Sequence, residues 1–178
     1  DLYRVMLMPR RILLGALLAG TLVVLAPLTA CSSAPALDKA VQIAESTSGY
    51  VDLGIVNGQT KLVPYASIRV KNVSDQPLTG FQLSASFWRT GEDGQKDELQ
   101  LQGLVAKGLA PGAISDPIII RANFGYSLAG ARADFFKHSL FVDFTIKVLG
   151  KTAGRIYKIG EVKVDRTIIA KDALGPTT

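Results

Sequence analysis

The chain has 178 residues with 20 Lys and Arg, 15 Asp and Glu, one cysteine and one histidine. From Cys31 onward it holds 17 basic and 14 acidic residues, a balance that does not predict nucleic-acid binding. The single cysteine excludes a disulfide within the chain. A lone histidine beside one cysteine also argues against a zinc site, which takes three or four ligands, and we expect no metal and no cofactor.

Residues 1–30 have the pattern of a secretory signal peptide. Arg10 and Arg11 precede an uncharged, mostly apolar run at 12–28, and small residues follow it. A run of this length is also at the lower limit of a transmembrane helix, roughly 17 to 25 residues. Pro27 argues against that alternative because a proline there breaks the helix near its end. We therefore expect residues 1–30 to be removed and leave them out of the fold.

Leu28-Thr29-Ala30-Cys31 resembles the lipobox of bacterial lipoproteins. The resemblance implies cleavage before Cys31 and a lipid anchor on its sulfur, since stable attachment takes two or more acyl chains. Residues 31–36 would then be a lipidated tether and the protein would belong to the cell envelope. The family's inner-membrane retention signal has an aspartate where this chain has Ser32. The resemblance therefore favours the outer membrane, facing the periplasm, if the source has two membranes.

Residues 37–178 are predicted to form one domain whose first segment is ambiguous. Leu37, Val41 and Ala44 fit a helical stripe, but a nine-residue helix at 37–45 is marginal alone, and a first strand fits as well. Farther along, Asn57-Gly58 predicts a β-hairpin, because both turn positions favour positive φ. In the strand after it, Pro64 predicts a place at a sheet edge, since proline lacks the N–H donor. One face of that strand is apolar: Leu62, Ala66, Ile68 and Val70.

Alternation of apolar and polar residues is clearest at 78–89 and predicts a half-buried strand. The core face is predicted to hold Phe81, Leu83, Ala85 and Phe87. The opposite face holds the candidate contact residues for a partner or ligand: Trp88, Gln82, Ser84 and Ser86. An aromatic on the wetter face suits stacking on a sugar or contact with a protein. The alternative is that a loop, a helix or a bulge buries Trp88.

The C-terminal half predicts further strands. Ile118-Ile119-Ile120 predicts a strand covered on both faces. Two long strands at 140–148 and 155–169 close the chain, and Gly160 predicts a β-bulge where the alternation slips. Seven or eight short strands with frequent turns predict an all-β fold, an antiparallel immunoglobulin-like β-sandwich, with a small barrel as the alternative.

Part of the domain also resembles a known family. Residues 68–78, Phe87-Trp88 and Leu109-Ala110-Pro111-Gly112 resemble the FxLYD-like sandwich domains of bacterial lipoproteins. The resemblance covers about residues 65–120. It implies a sandwich fold and no assigned chemistry.

Catalytic patterns are weak throughout the sequence. His138 lies beside Ser139 with Asp134 nearby, but adjacent side chains on a strand point to opposite faces, which does not suit a serine triad. The acidic residues around the glycine turn lack the ligand series of an EF-hand, and we interpret them as a solvated loop with calcium as the alternative. They are Glu92, Asp93, Asp97 and Glu98.

These patterns predict a lipid-anchored cell-envelope lipoprotein with a non-enzymatic binding or structural domain. Its expected partners are the membrane, through Cys31, and another envelope protein or a wall component. The first alternative is a carbohydrate or small-ligand binding protein, which an apolar pocket lined by Trp88 and a tyrosine would support. The second is a glycan hydrolase using Asp93, Asp97 or Asp134, which would need two carboxylates about 5 to 9.5 Å apart.

Overall fold

The computed structural model describes residues 35–101, 108–129 and 132–170. The predicted signal peptide, Cys31 and residues 32–34 of the tether lie outside the described residues. The described part contains one short α-helix, nine β-strands and one 3-10 helix. In chain order they are α1 Leu37–Ala40, β1 Val41–Val56, β2 Gln59–Asn72, β3 Gln82–Arg89, β4 Asp97–Leu101, β5 Ile118–Arg121, β6 Tyr126–Leu128, the 3-10 helix Arg132–Lys137, β7 Phe144–Thr152, β8 Arg155–Lys163 and β9 Ile168–Ile169.

These strands form two sheets that enclose one main core. The first sheet has the order β5-β2-β1-β9, with β6 also paired to β2, and the second has the order β4-β3-β7-β8. All pairs are antiparallel except β1 with β9. The predicted all-β sandwich is therefore confirmed. The described part has more strands than the predicted seven or eight, because β6 and β9 are only three and two residues long.

The ambiguous first segment contains both a helix and a strand. Leu37 and Ala40 are buried on α1, and β1 begins at Val41, which pairs with Asn72 of β2. Ala44 is exposed, so the helical stripe predicted over 37–45 is wrong beyond Ala40. Pairing with β2 outweighs the local helical pattern because nine residues gain little from helix formation alone.

The β1–β2 hairpin matches its sequence prediction, but the position of Pro64 does not. Asn57 and Gly58 have φ of 52° and 77°, as the turn requires. Pro64 lies inside β2, with β1 on one side, so the predicted sheet edge is wrong. On the other side the partner of β2 changes at this point from β6 to β5, and the Pro64 oxygen accepts a hydrogen bond of 3.0 Å from the Ala122 amide. The missing donor is tolerated because it falls where the partner strand changes.

Two other predictions fail at the edge of the sheet and at the start of β7. Ile119 is 46% exposed, because β5 is an edge strand with only one face on the core. The long strand predicted from residue 140 begins at Phe144, since residues 138–143 leave the 3-10 helix as an irregular turn. Leu140 is exposed there and Phe141 is buried instead. By contrast, the bulge at Gly160 is confirmed: Gly160 pairs with Val148, and Lys158 pairs with Leu149.

The core joins apolar side chains from both sheets. Its largest fully buried members include Tyr50, Phe81, Phe87 and Phe144. The residues predicted to face the core in the alternating segment 78–89 and in β2 are all buried: Phe81, Leu83, Ala85, Phe87, Leu62, Ala66, Ile68 and Val70. All described residues belong to one compact unit. Within the described ranges, no helix has the length and apolar character needed to cross a bilayer.

Candidate functional site

The four candidate contact residues lie together on the outward face of β3. Neighbouring strands continue this face, because residues paired across an antiparallel ladder share a side. Ser86 is flanked by Glu98 of β4 and Lys147 of β7, and Gln82 pairs with Lys151. We call this surface the outer face and define it as Gln82, Ser84, Ser86, Trp88 and Lys147.

Trp88 is half-buried on the outer face. Its Nε1 donates a hydrogen bond of 2.9 Å to Ser86 Oγ, and the Lys147 Nζ lies 3.6 Å from the ring centroid. A cation so close to an indole face is attracted by the ring electrons. Ser86 is only 1% exposed, whereas Gln82 is exposed and Ser84 is half-buried. The outer face is thus a preformed aromatic and cationic surface with exposed polar residues beside it.

A cavity of about 340 Å³ lies at one end of the sandwich. Its lining residues come from the ends of β3, β6 and β7 and from the loops beside them: Arg89, Lys96, Phe124, Gly125, Tyr126 and Phe144. Arg89 follows Trp88 on β3 and faces the other side of the strand, because successive side chains alternate. A pocket lined by Trp88 and a tyrosine was the expectation for ligand binding. The described lining includes Tyr126 but not Trp88.

The cationic side of the cavity is built around Glu92. Arg89 Nη1 lies 2.7 Å from Glu92 Oε1, and Lys96 Nζ lies 2.8 Å from Glu92 Oε2. The hydrogen bond from Lys96, with the Arg89 charge, lowers the pKa of Glu92 below its usual value. Glu92 therefore stays ionised at neutral pH, and one carboxylate is shared between two cations.

Tyr126 fixes the position of Arg89. Its hydroxyl donates to the Val142 oxygen at 2.6 Å and accepts from the Val142 amide at 3.0 Å. Arg89 Nη2 donates to the same hydroxyl at 3.3 Å, a long contact. Arg89 Nε is buried and has no acceptor among the described residues. This unpaired donor has almost no accessible surface, so Nη1 and Nη2 are the Arg89 donors that can reach the cavity.

Aromatic side chains form the other wall of the cavity. The Phe124 and Phe144 ring centroids are 5.3 Å apart, and those of Tyr126 and Phe144 are 5.9 Å apart. Both distances lie in the range for favourable aromatic pairs. Phe135 and Phe141 pack behind Tyr126, with centroids 6.0 and 5.0 Å from its ring. The wall is therefore held by a continuous aromatic cluster.

The carboxylates and histidine considered for catalysis are not brought together at this cavity. Asp97 accepts from the amides of Glu98 and Asn123, and Asp134 pairs with Lys137 at 3.5 Å. His138 is exposed, and its Nδ1 accepts from the Leu140 amide. The described lining of the cavity includes none of Asp93, Asp97 and Asp134. Within the described ranges, no three His, Cys, Asp or Glu residues are grouped as metal ligands.

Sequence reasoning missed the cavity residues because they are far apart in the chain. Arg89 and Lys96 look like ordinary solvated charges at a strand end and in a polar loop. The available signal was aromatic: Phe124 and Tyr126 precede Phe135, Phe136, Phe141 and Phe144 within a short stretch. Such density indicates an aromatic cluster, but it does not indicate which charges the fold places beside it.

Comparison with known proteins gives only distant structural likeness. No family model matches the chain, and no curated protein matches it. The X-ray structure of Northeast Structural Genomics Consortium target SoR45 is similar with 15% identity and a TM-score of 0.41, over 80% of this chain and 96% of that one. The solution structure of a protein from Arabidopsis thaliana is similar with 15% identity and a TM-score of 0.38, over 75% of this chain and 84% of that one. At 15% identity, neither likeness extends to function.

Proposed function

We propose that this protein is a lipid-anchored cell-envelope protein whose β-sandwich acts by binding rather than by catalysis. The observation that carries the proposal is Leu28-Thr29-Ala30-Cys31 directly after a basic and apolar leader. In the proposal Cys31 bears the lipid and residues 31–36 are the tether. The core of the domain begins at Leu37, which is 2% exposed, so little chain separates the anchor from the folded domain.

The short tether supports a defined placement of the domain. The six residue-to-residue steps from Cys31 to Leu37 span at most about 22 Å when fully extended. Leu37 packs beside Gly150 of β7, where a Cβ would lie 3.0 Å from Leu37 Cδ1. The adjoining β7–β8 hairpin exposes Lys151 and Arg155. This hairpin would lie near the bilayer, and confinement would raise the effective concentration of the domain toward neighbouring envelope components.

The outer face is the contact surface of the proposal. Trp88 supplies a large, partly fixed aromatic side chain, and aromatic anchors of this kind carry much of the binding energy at protein interfaces. Lys147 adds a positive charge over the ring, and Gln82 adds an exposed amide. The occupant is another envelope protein or a wall component.

Replacement of the lipidated cysteine tests the anchor. We expect Cys31→Ala to leave the protein uncleaved or to release it from the washed membrane fraction, whereas the neighbouring Ser32→Ala keeps normal attachment. Intact-mass analysis of the wild-type protein should show a lipid-modified chain that starts at Cys31. An intact leader, or an unmodified Cys31 thiol, in the natural protein would disprove the lipoprotein assignment.

Site-specific crosslinking in the native membrane tests the contact surface. A photoreactive residue at Gln82, which is exposed on the outer face, should give one discrete adduct. The same residue at Thr47, which is exposed on β1 of the other sheet, is the matched control and should not give that adduct. Trp88→Ala should abolish the Gln82 adduct. Equal adducts from both positions, or an adduct insensitive to Trp88→Ala, would exclude the outer face as the contact surface.

Small-ligand binding is the second candidate function, and the cavity favours it. Its volume of about 340 Å³ falls at the lower end of the range for small-molecule sites, about 300 to 1,000 Å³. Such sites combine apolar walls with a few polar groups, as Phe124 and Phe144 do here with Arg89 and Lys96.

A further inference from the structure

We propose that the cavity binds a small aromatic anion, with its carboxylate or phosphate on Arg89 and Lys96. The flat apolar body of the ligand would pack against Phe124, Tyr126 and Phe144. The inference rests on the second candidate function and names the chemical class of its ligand. It does not depend on lipidation at Cys31.

The charges at the cavity favour an anion. Arg89 and Lys96 share the single carboxylate of Glu92, so the group keeps an excess of positive charge. Their side chains are only 28% and 35% exposed, and partial burial strengthens a charge interaction relative to open water. Asp97 is held by the amides of Glu98 and Asn123, and the ion pairs of Arg89 and Lys96 among the described residues are with Glu92. An incoming carboxylate or phosphate would balance the remaining charge.

The hydrogen-bond donors of Arg89 favour a ligand with an acceptor group. Nη1 is used by Glu92, Nη2 makes only the 3.3 Å contact with Tyr126, and the buried Nε has no acceptor among the described residues. Nη2 is therefore the Arg89 donor that a bound acceptor would engage. Arginine presents its donors as a planar fork that matches carboxylates and phosphates.

The aromatic wall favours a flat apolar body on the ligand. Phe124, Tyr126 and Phe144 lie at inclined angles to one another, with centroids 5.3 and 5.9 Å apart. Rings arranged in this way offer both faces and edges to an additional ring. Because the cavity volume is at the lower end for ligand sites, it suits a compound of about one ring with its headgroup.

Calorimetric titration of the full chain in lipid nanodiscs tests the inference. The probes are phenylacetate, phenyl phosphate and the neutral phenylacetamide, which keeps the ring and removes the charge. At least one of the two anions should bind with a dissociation constant ten or more times lower than that of the amide. The anion that shows this preference identifies the headgroup as a carboxylate or a phosphate.

Two cavity variants and one control localise the binding. Arg89→Gln should reduce the preference for the anion to less than threefold. Lys96→Gln should reduce it by at least threefold, and it provides the test if Arg89→Gln does not fold, since Lys96 makes fewer contacts. Lys151→Gln removes an exposed cation of the β7–β8 hairpin, and it should leave the affinities unchanged.

The titrations distinguish the absence of an anion preference from the absence of small-ligand binding. Equal affinity for the amide and both anions would overturn the inference but keep small-ligand binding. Binding of no probe would count against both. An anion preference that survives Lys96→Gln and any folded Arg89→Gln variant would place the anion elsewhere and overturn the inference.

Discussion

Gly160 of β8 and Ile43 of β1 meet between the two sheets, where a Cβ on Gly160 would lie 2.8 Å from Ile43 Cδ1. The β-bulge beside Gly160 brings the backbone of β8 close to β1. A side chain at this position would require the end of the Ile43 side chain to move. The position of the β-bulge in β8 therefore affects how closely β8 packs against β1.

Gly160→Ala should destabilise the domain through this contact. We expect the free energy of unfolding to fall by about 1 kcal/mol, the lower end of the cost of extra volume, because both residues are half-buried and only the end of Ile43 must move. Urea denaturation measures the loss. Ile43→Val removes the methyl that the new Cβ meets, so it should recover part of the loss in the double variant. Strictly additive effects of the two changes would show that contact with Ile43 does not cause the loss of stability in Gly160→Ala.

Tyr50, which is buried, and Tyr126, which is half-buried, differ in their hydrogen bonding. The Tyr50 hydroxyl lies near the Phe144 backbone but makes no hydrogen bond of good geometry among the described residues, and burial raises the pKa of Tyr50 well above its usual value. The Tyr126 hydroxyl makes three hydrogen bonds, two with Val142 and one with Arg89. The same loss of an oxygen atom should therefore have different consequences at the two positions.

Tyr50→Phe should leave the free energy of unfolding unchanged or raise it by up to about 1 kcal/mol, because a buried, unpaired hydroxyl is costly. Tyr126→Phe should lower it by about 1 to 3 kcal/mol, since the Val142 groups lose their partner. Chemical denaturation at pH 7 compares the two variants. A Tyr50→Phe loss as large as the Tyr126→Phe loss would contradict the assignment of an unpaired hydroxyl.

Local sequence patterns predicted the parts of the fold that depend on adjacent residues. The Asn57-Gly58 turn needs only its own two φ angles, and the alternation from Phe81 to Phe87 needs only one strand with one buried face. Pro64 and Ile119 were misplaced because their surroundings depend on which strands pair beside them. That pairing is set by contacts between segments far apart in the chain.

The residues of the outer face could be predicted from local sequence, whereas those of the cavity could not. Trp88, Ser86 and Gln82 lie on one strand, so alternation alone placed them on one face. The contact of Trp88 with Lys147 needs a strand pairing across about 60 residues, and no local pattern indicates it. The cavity joins Arg89 to Tyr126, 37 residues apart. Chemistry that depends on such pairs becomes visible only when the chain is folded.

Asn72 holds together the turn after β2. It is fully buried, and its Nδ2 donates to the oxygens of Gln76 at 2.8 Å and Leu109 at 2.9 Å. Its Oδ1 accepts from the amide and hydroxyl of Ser74 at 2.9 and 2.7 Å. Asn72 therefore fixes both the turn and the segment at Leu109, which pairs with Leu78.

Asn72→Ala should lower the free energy of unfolding by about 2 to 4 kcal/mol, because several buried groups lose their partners together. Asn72→Asp should cost more at neutral pH, since a carboxylate would face two carbonyl oxygens in place of the donors. Ser74→Ala is the control and should cost about 0.5 to 1.5 kcal/mol. Thermal and urea unfolding provide the comparison. A smaller loss for Asn72→Asp than for Asn72→Ala would contradict the donor role of Nδ2.

Asp143 and Arg166 form a two-point ion pair whose contribution should depend on pH. Arg166 Nε and Nη2 each lie 2.8 Å from an oxygen of Asp143. The hydrogen bonds from Arg166 lower the pKa of Asp143 below its usual 3.8, against the smaller effect of burial. A carboxyl group whose pKa is lower in the folded state than in the unfolded state stabilises the fold at every pH above its unfolded-state pKa. This stabilisation is lost as the pH falls through its folded-state pKa.

Asp143→Asn should therefore destabilise the domain at pH 7, and the difference should shrink as the pH falls below the usual pKa of the carboxyl group. Since the two side chains are 54% and 41% exposed, solvent screening limits the effect at pH 7 to about 1 kcal/mol or less. Urea denaturation from pH 2 to pH 7 should show the two curves converging below about pH 4. Asp116→Asn, at an exposed carboxylate with no ion pair among the described residues, should show no such convergence. A wild-type advantage that does not shrink between pH 7 and pH 2 would mean that packing, rather than charge, carries the effect of Asp143.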